Sequence, residues 1–544
     1  MNPSAAPPAR QASISLSLVS HTNAGKTTLA RTLLGRDVGT VRDAPHVTEF
    51  ADVFTMIEAP HGERLLLWDT PGFADSGRLV QRLRASGNPL GWFMSAVWDR
   101  WRDRAFYASQ LAMRNVRDEA DVMLYLVNAA ESPEAAGYVQ PEMALLGWLG
   151  KPVIVLLNQL GAPREAALEA AELERWRGHL SAHAQVKAVL PMDAFARCWV
   201  QEITLLAAIE ATLSGEQRAL MARLRAAWQS QHQQTFDAAM NALAGSLARL
   251  ATAVEVVPDA GGFGARLRQA GSAIGARVGW GNAGADNDRS PAALAQTALA
   301  ARLDAEVRAN TLALITLHGI DGEARAQGEI LARLATHFET RLALDEGKAA
   351  LWGGMVSGAL VGLKADILSG GLTLGGGLLA GGLIGALGAA GLARCVNLVR
   401  GTGQSWVAWN ALALDQFVEA ALLRYLAVAH FGRGRGEWAQ GESPAHWREV
   451  VQRALASQRE TLARVWQERD VRSNESSHES SVERNGVVPP TGDDTTLTAV
   501  ALAPIVAQAA SNALASLYPG TAAIPLAPGE PLRESVQAGR QPSR

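Results

Sequence analysis

The chain has 544 residues, 48% of them hydrophobic, which is enough for two to four domains each with its own core. A net charge of −3 excludes the general electrostatic footprint of a nucleic-acid binder, so no DNA partner is expected. The 2 cysteines, Cys198 and Cys395, lack metal-ligand spacing and sit in apolar or small-residue surroundings, which fits a structural role in a reducing, cytoplasmic compartment.

Met1 to Gln11 is rich in Pro and Ala, lacks the apolar run of a secretory signal, and reads as a disordered lead. Ile14, Leu16, Leu18 and Val19 then predict a strand, and Leu29, Leu33 and Leu34 predict a helix. Between them runs Ser20-His21-Thr22-Asn23-Ala24-Gly25-Lys26-Thr27, followed by Thr28. Strand, tight loop and helix are the setting of a phosphate-binding loop, whose backbone N–H groups surround a β-phosphate at a helix N-terminus. Lys26 would reach the β- and γ-phosphates and Thr27 would offer its hydroxyl to Mg2+. Ser20 stands where the usual pattern opens with Gly.

Asp43-Ala44-Pro45-His46-Val47-Thr48 follows. Thr48 is the chosen ligand for Mg2+ and the γ-phosphate, with Thr40 as the alternative. Leu65 to Trp68 predicts a buried strand ending in Asp69-Thr70-Pro71-Gly72. An acid at the tip of such a strand is costly unless it has a task, and Asp69 is placed to hold Mg2+ through water. The Gly72 N–H would sense the γ-phosphate. From Phe73 to Arg117, aromatics such as Trp92, Trp98 and Trp101 recur among arginines at roughly helical spacing. Both a switch-coupled docking helix and ordinary edge helices fit that pattern.

Val122 to Val127 and Pro152 to Leu157 predict two more buried strands. The second ends in Asn158-Gln159-Leu160-Gly161, where a guanine-reading loop would carry Asn-Lys-x-Asp. Gly161 therefore removes the carboxylate that reads the base, at a typical cost of about 1–3 kcal/mol for a bidentate base contact. Asn158 and Gln159 remain as nucleotide-binding candidates. After the apolar run Val186 to Leu190, Pro191 to Phe195 would cover the base, with the Ala194 N–H near guanine O6.

On these motifs residues 12–200 resemble the Era/TrmE-type P-loop GTPases. His-Thr-Asn-Ala-Gly-Lys-Thr, Asp-Ala-Pro-His-Val-Thr and Asn-Gln-x-Gly together resemble a bacterial GTPase family with a helical C-terminal domain of unknown function, a likeness extending to about residue 465. The resemblance implies an α/β P-loop GTPase domain with a mostly parallel sheet, a GTP and Mg2+ site, and a nucleotide-dependent switch with slow hydrolysis. Lys26, Thr48 and Gly72 would form its catalytic group; Thr27, Thr48 and Asp69 would bind the metal. It also implies that Asn23 helps hold a K+ beside the phosphates; a loop-shaping role is the other reading. Phe73 follows the Asp-Thr-Pro-Gly motif where Ras-like enzymes have Gln, and an apolar side chain cannot orient water, so stimulation by K+ or by a homodimer is implied.

Residues 201–470 are expected to form a mainly α-helical domain. Helix is predicted from Glu165 to Leu224, from Ala226 to Val254 and from Pro291 to Asp345, with a Gly-rich break from Asp259 to Asp288. Within this domain, 351–399 reads as a Gly-rich apolar hairpin. Its core, Ile367 to Leu392, has 26 residues and no charge, long enough to span a bilayer. Small residues four apart, such as Gly377, Gly381 and Gly385, suit close helix contacts in lipid or in a buried soluble hairpin. Both settings stay open, so peripheral or integral association with the cytoplasmic membrane and docking of a protein partner are both expectations. Trp406 to Phe431 predicts an apolar helix, and Trp447 to Arg469 an amphipathic one. Residues 471–494 read as a polar linker, and 495–544 as a largely disordered tail with an apolar helix near Thr496 to Leu517. A membrane-associated scaffold with a non-hydrolysing or nonselective nucleotide site is the rival reading.

Overall fold

The computed structural model describes residues 12–35, 52–73, 76–84, 104–160, 166–192, 198–257, 291–319, 396–400, 405–430, 445–480 and 492–518. Thr48, Thr40, Gly161, Ala194, the lead 1–11, the break near Asp259 to Asp288, most of the Trp/Arg segment and the Gly-rich run 351–395 lie outside the described residues.

The apolar runs become the strands of a six-stranded sheet. β1 (Ser13–Ser20) lies between β3 (Arg64–Asp69) and β4 (Val122–Asn128), parallel to both. β5 (Val153–Asn158) and β6 (Val186–Pro191) extend the parallel set beyond β4, and β2 (Asp52–Glu58) closes the other edge, antiparallel to β3. Sequence order reverses around β1, with β3 on one side and β4 on the other. In open parallel sheets that reversal opens a crevice at the carboxyl ends of the strands. Ser20, Asp69, Asn128 and Asn158 close their strands at that edge.

The connecting helices are α1 (Lys26–Leu34), α2 (Ser76–Arg84), α3 (Arg104–Asp118), α4 (Val139–Leu149) and α5 (Ala166–Leu180). Alternate residues of each strand serve opposite faces. Leu16, Leu18, Leu65, Leu124 and Ile154 belong to one core, whereas Val19, Met123, Tyr125, Val155 and Leu157 join Met143 and Leu146 of α4 in another.

The first core does not stop at the sheet domain. It continues through Ile203, Leu206 and Ile209 of α6 (Trp199–Thr212) and Leu220, Met221 and Leu224 of α7 (Gly215–Ala251). The expected boundary at 200/201 thus falls inside α6. At the surface Arg223 pairs with Glu63 at 2.7 Å, and Gln217 donates to Asp121 at 2.8 Å.

The remainder is mainly helical: α8 (Pro291–Leu317), α9 (Ala411–Ala429), α10 (Ala445–Ala456), α11 (Arg459–Ser480) and α12 (Gly492–Leu517). A small antiparallel sheet, in the order β7 (Val254–Val257), β9 (Ser405–Trp409), β8 (Val396–Arg400), interrupts it. The stretch expected to be helical from Trp406 therefore begins as a strand. Its helix starts only after Asn410, whose side chain accepts from the Ala413 N–H at 3.0 Å and caps it.

A second correction concerns 471–494. α11 runs on to Ser480 and α12 begins at Gly492, and Arg472 reaches across to Asp494 at 3.4 Å and Thr498 at 3.1 Å. Ser, Asn and Glu suit the wet face of a helix as well as a linker, so composition did not separate the two. α12 packs along α7 and buries Leu502, Val506, Ala509, Ala510 and Leu514. It is long and apolar enough to cross a membrane, and half of its most apolar window is buried within the protein.

Candidate functional site

Ser20 ends β1 and Lys26 begins α1, so the loop between them is pinned at both ends. Asn23 and Gly25 take left-handed conformations, φ 66° and 87°. Asn tolerates that region through its short polar side chain, which supports a shaping role for Asn23. Gly25 is required twice over, because a Cβ there would also lie 2.7 Å from Asn158 Nδ2.

Lys26 is buried and donates from Nζ to Ser20 Oγ at 2.9 Å. The serine that replaces glycine is thus a polar rest for the lysine, and its own hydroxyl donates to the His21 carbonyl at 2.5 Å. Burial holds the Lys26 ammonium below the usual lysine range, while the carboxylates of Asp69 and Glu142 push it back up.

Thr27 Oγ1 donates to Asp69 Oδ2 at 2.6 Å. Asp69 is buried, and its Oδ1 has no hydrogen-bond partner. Burial raises this carboxyl above the ordinary range, against the Thr27 hydrogen bond and the Lys26 charge. A hydroxyl beside a buried carboxylate with one oxygen unsatisfied is a donor set that fits a hard divalent cation. The expected third oxygen ligand, Thr48, lies outside the described residues.

Beyond Asp69 the chain closes over the lysine. Thr70 Oγ1 donates to the Leu18 carbonyl, fixing the turn to β1. The Phe73 N–H donates to the Ser20 carbonyl at 2.8 Å and the Thr22 N–H donates to the Phe73 carbonyl at 3.1 Å, so His21 and Phe73 form a parallel bridge. Gly72 sits so tightly beneath that bridge that a Cβ would lie 2.9 Å from Lys26 Nζ and 3.0 Å from Thr22 Cα. The Phe73 side chain is fully buried in the second core, turned away from the loop mouth.

Asn158 ties the end of β5 to the loop. Its side chain is fully buried and donates to the Ala24 carbonyl at 2.9 Å. Gln159, at φ 59°, holds the left-handed backbone that turns the chain out of β5.

One partner of the loop lies far from it in sequence. His21 Nδ1 donates to Glu142 Oε1 at 2.8 Å, Tyr125 OH donates to Glu142 Oε2 at 2.7 Å, and the His21 ring stacks on Tyr138 at 4.6 Å. Glu142 is completely buried. The signal that could have found it is its place in α4: with Val139, Met143 and Leu146 it lies on the buried stripe, where an acid is out of place.

Two family models match. One is a 50S ribosome-binding GTPase over residues 15–159; the other, a domain of unknown function called DUF3482, spans residues 180–488 and so covers more than half of the chain. The chain belongs to the DUF3482 family. In this member the family's domain follows a P-loop GTPase domain, and the helical region α6 to α11 falls within it. No curated protein matches significantly. Among solved structures, Era in complex with MgGDPNP and part of 16S ribosomal RNA is 18% identical, covering 38% of this chain and 59% of that one, with a TM-score of 0.29. An Aquifex aeolicus Era variant bound to GDP and aluminium fluoride is 20% identical, with 38% and 59% covered and a TM-score of 0.28. A bacterial selenocysteine-specific elongation factor is 16% identical, with 34% and 26% covered and a TM-score of 0.23. The chain thus spans only 59% of the length of the Era structures that it resembles.

Proposed function

We propose that this DUF3482 protein is a GTP-dependent switch that hydrolyses GTP slowly. The observation that carries the reading is the cluster of Lys26, Thr27, Asp69 and Gly72 at the carboxyl edge of the sheet, with Asp69 Oδ1 buried and unsatisfied. Thr27 and Asp69 would hold Mg2+, which offsets charge on the phosphates when bound. Lys26 would stabilise charge on the phosphoryl oxygens as water attacks the γ-phosphorus in line. Position 73, where a water-orienting glutamine would stand, is a buried Phe, which supports slow hydrolysis. K+ beside Asn23 and pairing of two copies are the two routes proposed for stimulation.

Guanine selectivity rests on Asn158 and Gln159 and on the Ala194 N–H, without an acid at position 161. Titration of fluorescent GDP against GTP, ATP and their nonhydrolysable analogues tests it, in Mg2+ with K+ and then with Na+. Guanine-selective displacement upholds the reading, and equal displacement by ATP makes this a nonselective site.

The charge-free run 367–392 supports a second element of the proposal, attachment to the cytoplasmic membrane. Flotation with liposomes tests it, and a chain lacking 367–392 that floats equally well removes it.

A further inference from the structure

We propose that Glu142 is a positioning residue for the γ-phosphate half of the phosphate-binding loop, acting through His21. The inference rests on the nucleotide reading of that loop and adds a residue to it.

The loop from Ser20 to Thr27 is tied down at two separate places. Asn158 holds its second half, through the Ala24 carbonyl. Its first half is held by Phe73 through the backbone of Ser20 and Thr22, and by Glu142 through the His21 side chain. His21 lies between the residue that receives Lys26 Nζ and the residue whose Cα packs on Gly72. A side-chain tether on His21 therefore sets where Ser20 and Thr22 stand relative to Lys26 and Gly72. Those two groups meet the terminal phosphate in the proposed site.

Glu142 is built for such a task. A completely buried carboxylate costs several kcal/mol in desolvation unless its oxygens are satisfied. Here each oxygen has one donor, from β4 and from the loop respectively. An apolar residue would fill the same space on α4 without that cost. What the carboxylate adds is direction: it fixes the rotation of the His21 ring, which Tyr138 supports from its face. α4 also packs against α2, the helix that follows Gly72, so one element braces both the loop and the segment leaving the site.

The test compares affinities for GDP and for a nonhydrolysable GTP analogue in Glu142→Gln, His21→Gln and the double variant, with thermal melting of each. His21 is partly exposed, so its variant keeps the question open should Glu142→Gln fold poorly. Positioning predicts that each single variant weakens the triphosphate analogue about tenfold, the effect of one lost charge-assisted hydrogen bond, and leaves GDP within about twofold. The double variant should be no worse than either single one. Equal weakening of both nucleotides, or none of either, overturns the inference and leaves the nucleotide site standing. Wild-type protein that binds neither nucleotide removes the site, and the inference with it.

Discussion

In the sheet domain Lys26, Asp69 and Glu142 are all buried and all belong to one connected set of contacts around a single loop. In the helical region Arg424 and His430 are buried too, but their hydrogen bonds go to helix carbonyls rather than to charged partners. Arg424 donates to the Val307 carbonyl at 3.4 Å and His430 to the Leu426 carbonyl at 2.6 Å, and Arg424 Nε and His430 Nε2 have no partner. The first pattern concentrates unfavourable burial where ligand charge would be met, as functional sites do. The second places unsatisfied polar atoms inside a helical core, where the cost falls on stability. Changes in the two regions should therefore separate, the first moving nucleotide binding and the second moving folding.

The largest effect expected is from Lys26→Ala, which should lower GTP hydrolysis at least about 100-fold with little change in melting temperature. Single-turnover hydrolysis alongside thermal denaturation checks it; a large fall in melting temperature would erase the contrast between the regions.

Next comes acid sensitivity of the helical region. Burial depresses His430 from its ordinary value of 6.5 to about 4. The folded state therefore binds this proton later than the unfolded state as pH falls. Stability is full above pH 6.5 and is lost on the way down to about pH 4, by roughly 3 kcal/mol for this one group. His430→Phe should flatten that part of the pH–stability curve, as read from denaturant midpoints between pH 7 and 4. GTP affinity at pH 7 should not move.

Phe73→Gln sharpens the comparison from the other side. The side chain at 73 faces the second core, so a glutamine there should destabilise by about 2 kcal/mol and should not speed hydrolysis. An increase in turnover would mean that this side chain reaches the loop mouth after all.

The smallest expected change is in Trp466→Phe, which removes the indole donor to Asp415 Oδ1 at 2.9 Å between α11 and α9. About 1 kcal/mol should be lost in denaturant unfolding, with nucleotide binding intact.

Much of the site was legible in the sequence because its residues are local. Ser20 to Thr27 form one loop, and Asp69 and Asn158 each close an apolar run whose neighbours announce a strand. The role of Glu142 was not legible: its place on a buried stripe marks the acid as unusual, but its partners are 121 and 17 positions away and no local pattern names them. The same limit hid the β7–β9 pairing, which joins Val254 to Ala408. Nor could composition show that the polar stretch after Val471 continues a helix, because wet helices and linkers draw on the same residues.

The lengthwise contact of α12 on α7 has a consequence for the chain as it is made. α7 leaves the ribosome early, and the face of it that α12 covers meets that partner only after residues 492–517 have been synthesised. Until then that face of α7 has only its other neighbours, chiefly α8, for cover, so the nascent chain passes through a long interval with its helical core incomplete.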